Sequence, residues 1–178
     1  PEVGHYHHQA ARVYLDTGLH QDALRFLNRS VELQPHRADW HRELGELLEE
    51  RGEKENALSE YEKACRWDPD SSRGFYLLGR LHYRLGRSDE ALNELERSVN
   101  LDPSGAEARI FLARLLLEKG EAEKALEHCR ALMPVAPQNP QPFYLGFKSL
   151  LKLGREAEAI QVLEMATSLS PDDPEWQR

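Results

Sequence analysis

The feature that most constrains this chain is a self-similarity with a fixed step of 34 residues. Ala23, Ala57, Ala91, Ala125 and Ala159 are spaced at that interval, as are Gly18, Gly52, Gly86, Gly120 and Gly154. Pro35, Pro69, Pro103, Pro137 and Pro171 keep the same step, and Leu24, Leu58, Leu92, Leu126 and Ile160 follow the alanines in every copy. A chain repeated this way stacks like units side by side, each burying a face that it cannot bury alone. Each column has a physical reason. The glycine follows a segment of helical period such as Trp40 to Leu48 and fits the left-handed turn that closes a helix. The alanine sits early in a second amphipathic segment, for example Glu55 to Trp67, where a small side chain lets two helices approach. The proline cannot continue that second helix and ends it.

The period, the small-residue columns, the closing proline and the Leu-Gly pairs Leu44-Gly45 and Leu78-Gly79 together resemble the tetratricopeptide repeat family over nearly the whole chain. Five copies fall at about 4–37, 38–71, 72–105, 106–139 and 140–173, read as one array over 1–178, with 174–178 as the start of a truncated further repeat. The resemblance implies an all-α fold, a right-handed α-solenoid of helix-turn-helix units whose first helices line a concave groove. Two copies depart from the pattern. Copy one has Ala10-Ala11 in place of the Leu-Gly pair, and copy five has Gly146-Phe147, which predicts altered packing between copies four and five. After Pro171, Asp172-Asp173-Pro174-Glu175-Trp176 is similar to the opening of copy two, so the chain is expected to be part of a longer protein.

Composition narrows the functional classes. A hydrophobic share of 40% supports a core without disulfide or metal staples, and no apolar run reaches the roughly 18 residues of a membrane span. The net charge of −8 argues against nucleic acid as ligand, since phosphate binding wants a positive face. Cys65 and Cys129 fall on the packing side of second helices nearly two copies apart, so they read as small buried hydrophobes. His5, His7 and His8 cluster near the start but lack ligand-spaced Cys, Asp or Glu, and read as surface side chains. His82 stands where copy one has Tyr14 and is expected to pack between helices. Phosphate loops, serine elbows and zinc-binding helices are absent from the sequence, and acid pairs such as Glu49-Glu50 read as solvated faces. This segment is therefore read as non-enzymatic, with no cofactor.

The resemblance implies that places two, five, nine, twelve and thirteen of each copy face the groove, a spacing that keeps them on one helix face. In copy two these are Asp39, Arg42, Glu46, Glu49 and Glu50, with a net charge of −3. Copy three offers Arg73, Tyr76, Arg80, Tyr83 and Arg84, with a net +3, and the later copies add Arg114, Tyr144, Lys148 and Lys152. Copies three to five thus carry a net +4 on a chain of −8. Arginines interleaved with tyrosines suit an extended acidic peptide, the guanidinium gripping carboxylates and the rings supplying area. The competing reading pairs these cations with Glu107 and Glu118, or leaves them solvating an unused face. Chaperone-binding members of the family carry a Lys/Asn/Arg clamp. Here its places hold His8, Arg12, Glu43, Arg73 and Leu77, of which only Arg73 keeps the required charge, so that subtype is not expected.

The function expected is that of a scaffold holding a protein or peptide partner in its groove, without nucleic-acid binding or direct membrane insertion, and with the cytoplasm as the favoured compartment. Two alternatives stand beside it. One is the recognition or regulatory arm of a larger enzyme whose catalytic domain lies outside this segment, and the other is a self-associating array that stacks through its C-terminal repeat.

Overall fold

The computed structural model describes residues 2–169. Ten α-helices follow one another among the described residues: α1 Glu2–Asp16, α2 His20–Leu33, α3 Ala38–Glu50, α4 Lys54–Trp67, α5 Ser72–Arg84, α6 Ser88–Leu101, α7 Ala106–Glu118, α8 Ala122–Leu132, α9 Pro140–Lys152 and α10 Glu156–Leu169. Each copy supplies two of them, and no strand occurs among the described residues. Two compact units result, Pro1–Glu94 and Leu95–Arg178, with the division falling inside α6. In the first unit α1 packs on α2 and α3 on α4, and in the second α7 packs on α8 and α9 on α10. Between copies, α2 packs on α3 and α4 on α5 in the first unit, and α8 on α9 in the second.

The columns do what their chemistry requires. Gly18, Gly52, Gly86, Gly120 and Gly154 all adopt positive φ, between 72° and 83°. A Cβ there would meet nothing, so conformation and not space selects glycine. The turn is the same in each copy. In copy two Gly52 N–H donates to Glu49 O at 3.0 Å and Glu53 N–H to Leu48 O at 2.9 Å, the paired bonds that close a helix on a left-handed residue. All five alanines of the column are fully buried. Helices α2, α4 and α6 end two residues before Pro35, Pro69 and Pro103. In copy four an additional proline, Pro134, takes over, and α8 stops at Leu132 after 11 residues where those three helices run 14. Pro171 and the residues after it, including Asp172-Asp173 and the truncated further repeat, lie outside the described residues.

In the first unit the core is built around Trp40, Leu44, Tyr61, Phe75 and Leu81, all at or below 2% exposure. Gly45 is required there by space. A Cβ on it would lie 2.6 Å from the Tyr61 ring, so α3 and α4 touch backbone to ring. In the second unit Leu126, Leu150 and Ala159 form a cluster joined by Phe147, Leu153 and Val162. The departure of copy five from the pattern is resolved as a one-place exchange of sizes. Phe147 supplies bulk where other copies are small, and a Cβ on Gly146 would lie 2.7 Å from Met133 Cε. Cys65 and Cys129 are buried free thiols, and burial pushes the Cys129 thiol up to about 12.

Candidate functional site

The first-helix faces hold the residues singled out by charge, and each unit organises its own. In the first unit α1 and α3 border a groove of about 220 Å³ where Arg12 stands among Asp16, Glu43, Glu46 and Glu50. His8 on α1 is buried, against expectation. Its Nε2 lies 2.7 Å from Glu43 Oε2 and its ring stacks on Trp40 at 4.8 Å and 13°. The reading of the histidine cluster as surface therefore holds for His5, which is exposed, and fails for His8. His41 is likewise buried, with Nδ1 2.6 Å from Glu60 Oε2 and Nε2 2.8 Å from Pro35 O. His82 is buried in α5 as its place in the copy suggests. Among the described residues no group of three or more His, Cys, Asp or Glu could hold a metal ion.

On α5 the cations are engaged by α3. Arg80 Nη2 donates to Glu49 Oε2 at 3.0 Å, Arg84 Nη1 donates to Glu49 Oε1, and the Tyr61 hydroxyl donates to Glu49 Oε2 at 3.0 Å. Glu49 is buried, with 4% of its side chain exposed, while Glu50 beside it is exposed. The pair read as a solvated face is thus split between one structural carboxylate and one solvated one. Arg73 Nη2 lies 3.7 Å from Glu46 Oε1. The Tyr76 ring lies between two guanidiniums, with Arg73 Cζ 5.7 Å and Arg80 Cζ 5.8 Å from its centroid. Glu46 and Glu49, one copy earlier, were not the carboxylates anticipated for this pairing.

Burial alone would raise the Glu49 carboxyl, but the Arg80 charge and the donors from Arg80, Tyr61 and Arg84 outweigh it and hold it below the usual range. The Arg80 guanidinium is raised despite burial, because Glu49 faces it. Burial and Glu49 together push the Tyr61 phenol far up, so its hydroxyl stays a donor. Glu60 is also lowered, with burial outweighed by the donors His41 and Lys63. A carboxyl lowered in the folded state stabilises fully above its unfolded value, near 4.5, and loses that contribution as pH falls through the folded value. Thermal unfolding followed from pH 7 to pH 3 should therefore show stability falling only below about pH 4.5, with a shallower fall in Glu49→Gln.

In the second unit α7 and α9 border a groove of about 870 Å³ that includes Arg114, Glu118, Gln141, Tyr144, Lys148 and Lys152. Leu117, Leu145 and Leu151 give it an apolar floor and rim, with Leu151 47% exposed. Lys152 Nζ donates to Leu117 O at 2.7 Å, capping the C-terminal turn of α7, where the helix dipole favours a cation. Lys148 Nζ sits 4.0 Å from the Tyr144 ring centroid. Arg114, Lys148 and Lys152 against Glu118 make this lining net positive. Of the residues expected from the sequence, Arg114, Tyr144, Lys148 and Lys152 share this groove, whereas Arg73, Tyr76, Arg80, Tyr83 and Arg84 share α5 in the first unit. Sequence reasoning passed over Tyr61 and Leu145. The signal for Tyr61 was available, because it follows Gly45 by 16 residues, where a second helix returns across the first.

Paired helices in tandem 34-residue copies, with polar first-helix faces over an apolar floor, define a helical-repeat scaffold. The chain belongs to the tetratricopeptide repeat family, whose sequence profiles match residues 8–72, 76–140 and 146–173. Repeats of this family are generally non-catalytic scaffolds, and the fold is consistent with protein–protein interaction. No curated protein matches the chain. Solved structures match it closely in fold. A tetratricopeptide repeat protein from Parabacteroides merdae ATCC 43184 is 16% identical, covering 99% of this chain and 70% of that one, with a TM-score of 0.87. MamA from Desulfovibrio magneticus RS-1 is 17% identical over 98% of both chains, with a TM-score of 0.83. YrrB, described as a TPR protein with an unusual peptide-binding site, is 23% identical over 96% of this chain and 88% of that one, with a TM-score of 0.84. Among the described residues no helix is long and apolar enough to cross a membrane.

Proposed function

We propose that this chain is a scaffold that holds an extended acidic segment of a partner protein against its first-helix faces, with the α7–α9 groove as the principal seat. The observation that supports this reading is the composition of that groove. Arg114, Lys148 and Lys152 surround a floor of Leu117, Leu145 and Leu151 on a chain whose total charge is −8. Such a lining favours a ligand that alternates carboxylates with apolar side chains, the first for the cations and the second for the floor. Lys152 is already positioned by Leu117 O and Lys148 by the Tyr144 ring, which lowers the ordering cost of engaging a carboxylate. On α5, Arg73, Tyr76, Arg80, Tyr83 and Arg84 form a second proposed patch. A carboxylate arriving there competes with Glu46 and Glu49 for the guanidinium heads, so its contribution is the smaller one.

A labelled 12-residue peptide of alternating Glu and Leu tests the reading by fluorescence anisotropy, against an otherwise identical Lys-Leu peptide. The Glu-Leu peptide should bind better, and should weaken as salt rises, since exposed charges are screened beyond about 8 Å at physiological ionic strength. Arg114→Glu with Lys148→Glu should weaken it by about tenfold or more, because two favourable contacts become repulsive. Equal binding of both peptides, or unchanged affinity in the double variant, would remove the α7–α9 face from the proposal.

A further inference from the structure

Among the described residues the chain turns four times from a second helix into the next first helix, and these corners can be compared place by place. They read Leu33-Gln34-Pro35-His36, Trp67-Asp68-Pro69-Asp70, Leu101-Asp102-Pro103-Ser104 and Val135-Ala136-Pro137-Gln138. Of the four, only the second alternates apolar residues with two carboxylates. It lies between α4 and α5, with helices of the first unit on both sides. All four of its residues are exposed, and Trp67, at 51%, presents an indole to water. His36 stands edge-on to that ring at 6.5 Å and 80°, which supports the indole without covering it.

The carboxylates of this corner are also uncommitted. In the third corner Asp102 is taken up by its own turn, accepting from Ser104 N–H at 3.0 Å and from Ser104 Oγ at 2.6 Å. The Asp68 and Asp70 carboxylates accept no hydrogen bond and join no ion pair among the described residues. A ligand suited to the α7–α9 groove alternates carboxylates with apolar side chains, and this corner carries that pattern already set in a turn. Little ordering is then lost when it docks.

We infer that the Trp67–Asp70 corner of one molecule docks in the α7–α9 groove of a second copy of this chain, with Trp67 on the leucine floor and Asp68 and Asp70 toward Arg114 and Lys148. The inference rests on the acidic preference proposed for that groove and adds the partner. Trp67 supplies the roughly 150–250 Å² that an aromatic side chain can bury. The minor charges match as well, since Arg66 is exposed beside the corner and Glu118 stands among the cations of the groove. Corner and groove are different surfaces, so the contact is heterologous and copies add head to tail. One corner in one groove buries less than the roughly 1,200 Å² of a standard stable interface, so the association is weak and concentration-dependent.

Sedimentation velocity of the 178-residue chain from about 10 μM to about 1 mM reads the outcome, in about 0.15 M salt to screen the repulsion between chains of −8. The mass should rise above the 20.5 kDa of one chain as concentration increases, and excess Glu-Leu peptide should return it to that value. Trp67→Ala should weaken association by about tenfold or more. Two double variants, Asp68→Lys with Asp70→Lys and Arg114→Glu with Lys148→Glu, are checked for unchanged helicity by circular dichroism. Each alone should stay at the mass of one chain. An equal mixture of the two should associate again, because each reversed surface meets its opposite on the other protein. A one-chain mass for the wild type throughout, with the Glu-Leu peptide still bound, overturns the inference and leaves the acidic preference of the groove standing. A one-chain mass with no peptide bound overturns both. Association that survives in Trp67→Ala and in both double variants, or a mixture that stays at the mass of one chain, also overturns the inference.

Discussion

Replacing Arg80 and Arg84 together by methionine is expected to cost about 3 kcal/mol of stability, because it strands the Glu49 carboxylate in the interior. The asymmetry comes from where each charge sits. Glu49 has 4% of its side chain exposed, whereas Arg80 and Arg84 reach water with 32% and 48% of theirs. Removing the acid instead, as Glu49→Gln, leaves two guanidiniums that water can serve and an amide oxygen for the Tyr61 hydroxyl, and should cost about 1 kcal/mol. Urea denaturation of the three proteins at pH 7 checks this order. The double variant should also recover as pH falls toward 5, since its uncompensated Glu49 can then take up a proton. Equal losses in both variants would mean that the acid is better solvated than its burial indicates. Reversing both arginines to glutamate would press two further carboxylates against Glu49, so charge reversal on α5 reports on the fold and cannot report on a ligand.

The second large effect is expected at Trp40. Its side chain is fully buried, with His8 stacked on it and Arg37 Cζ 4.6 Å from its ring centroid, so Trp40→Ala should cost about 3–5 kcal/mol in denaturant unfolding. Trp40→Phe should recover more than half of that, because the indole Nε1 is buried without a hydrogen-bond partner and phenylalanine gives up no bond there. If phenylalanine is as damaging as alanine, the indole nitrogen has a role that the packing does not account for. Trp40→Ala should also loosen α1, whose buried His8 would lose the ring it rests on while keeping Glu43.

What the sequence discloses and what it hides divide along a physical line. The five positive-φ glycines, the five buried alanines and the helix ends before Pro35, Pro69 and Pro103 were legible, because each answers to a backbone rule that acts within a few residues. The early end of α8 was not anticipated, because the repeat pattern put the stop at Pro137 and passed over Pro134, which acts by the same rule. Glu49, His8 and His41 were not legible as interior groups, because residue type alone marks them as surface side chains. Their burial depends on partners supplied by another helix, Arg80 and Arg84 for the first, Glu43 and Glu60 for the others. The candidate groove was legible in its charge but not in its division. Register placed nine residues on first-helix faces, yet the hold of Glu46 and Glu49 on the α5 arginines and the gathering of Arg114, Tyr144, Lys148 and Lys152 in one groove appear only in the folded chain.

Side-chain bonds that tie one copy to the next close over short stretches of chain. His8 to Glu43, Arg84 to Glu49 and Lys152 to Leu117 each span 35 residues, Arg87 to Glu55 spans 32, and Arg130 to Glu158 spans 28. None of these bonds requires distant parts of the polypeptide to find each other, so the entropy of loop closure is met in small, equal instalments. Ordering can begin at whichever neighbouring pair forms first and spread outward one copy at a time, as in a one-dimensional lattice. Pulled from its ends, such a polypeptide would come apart in steps of 34 residues, not all at once.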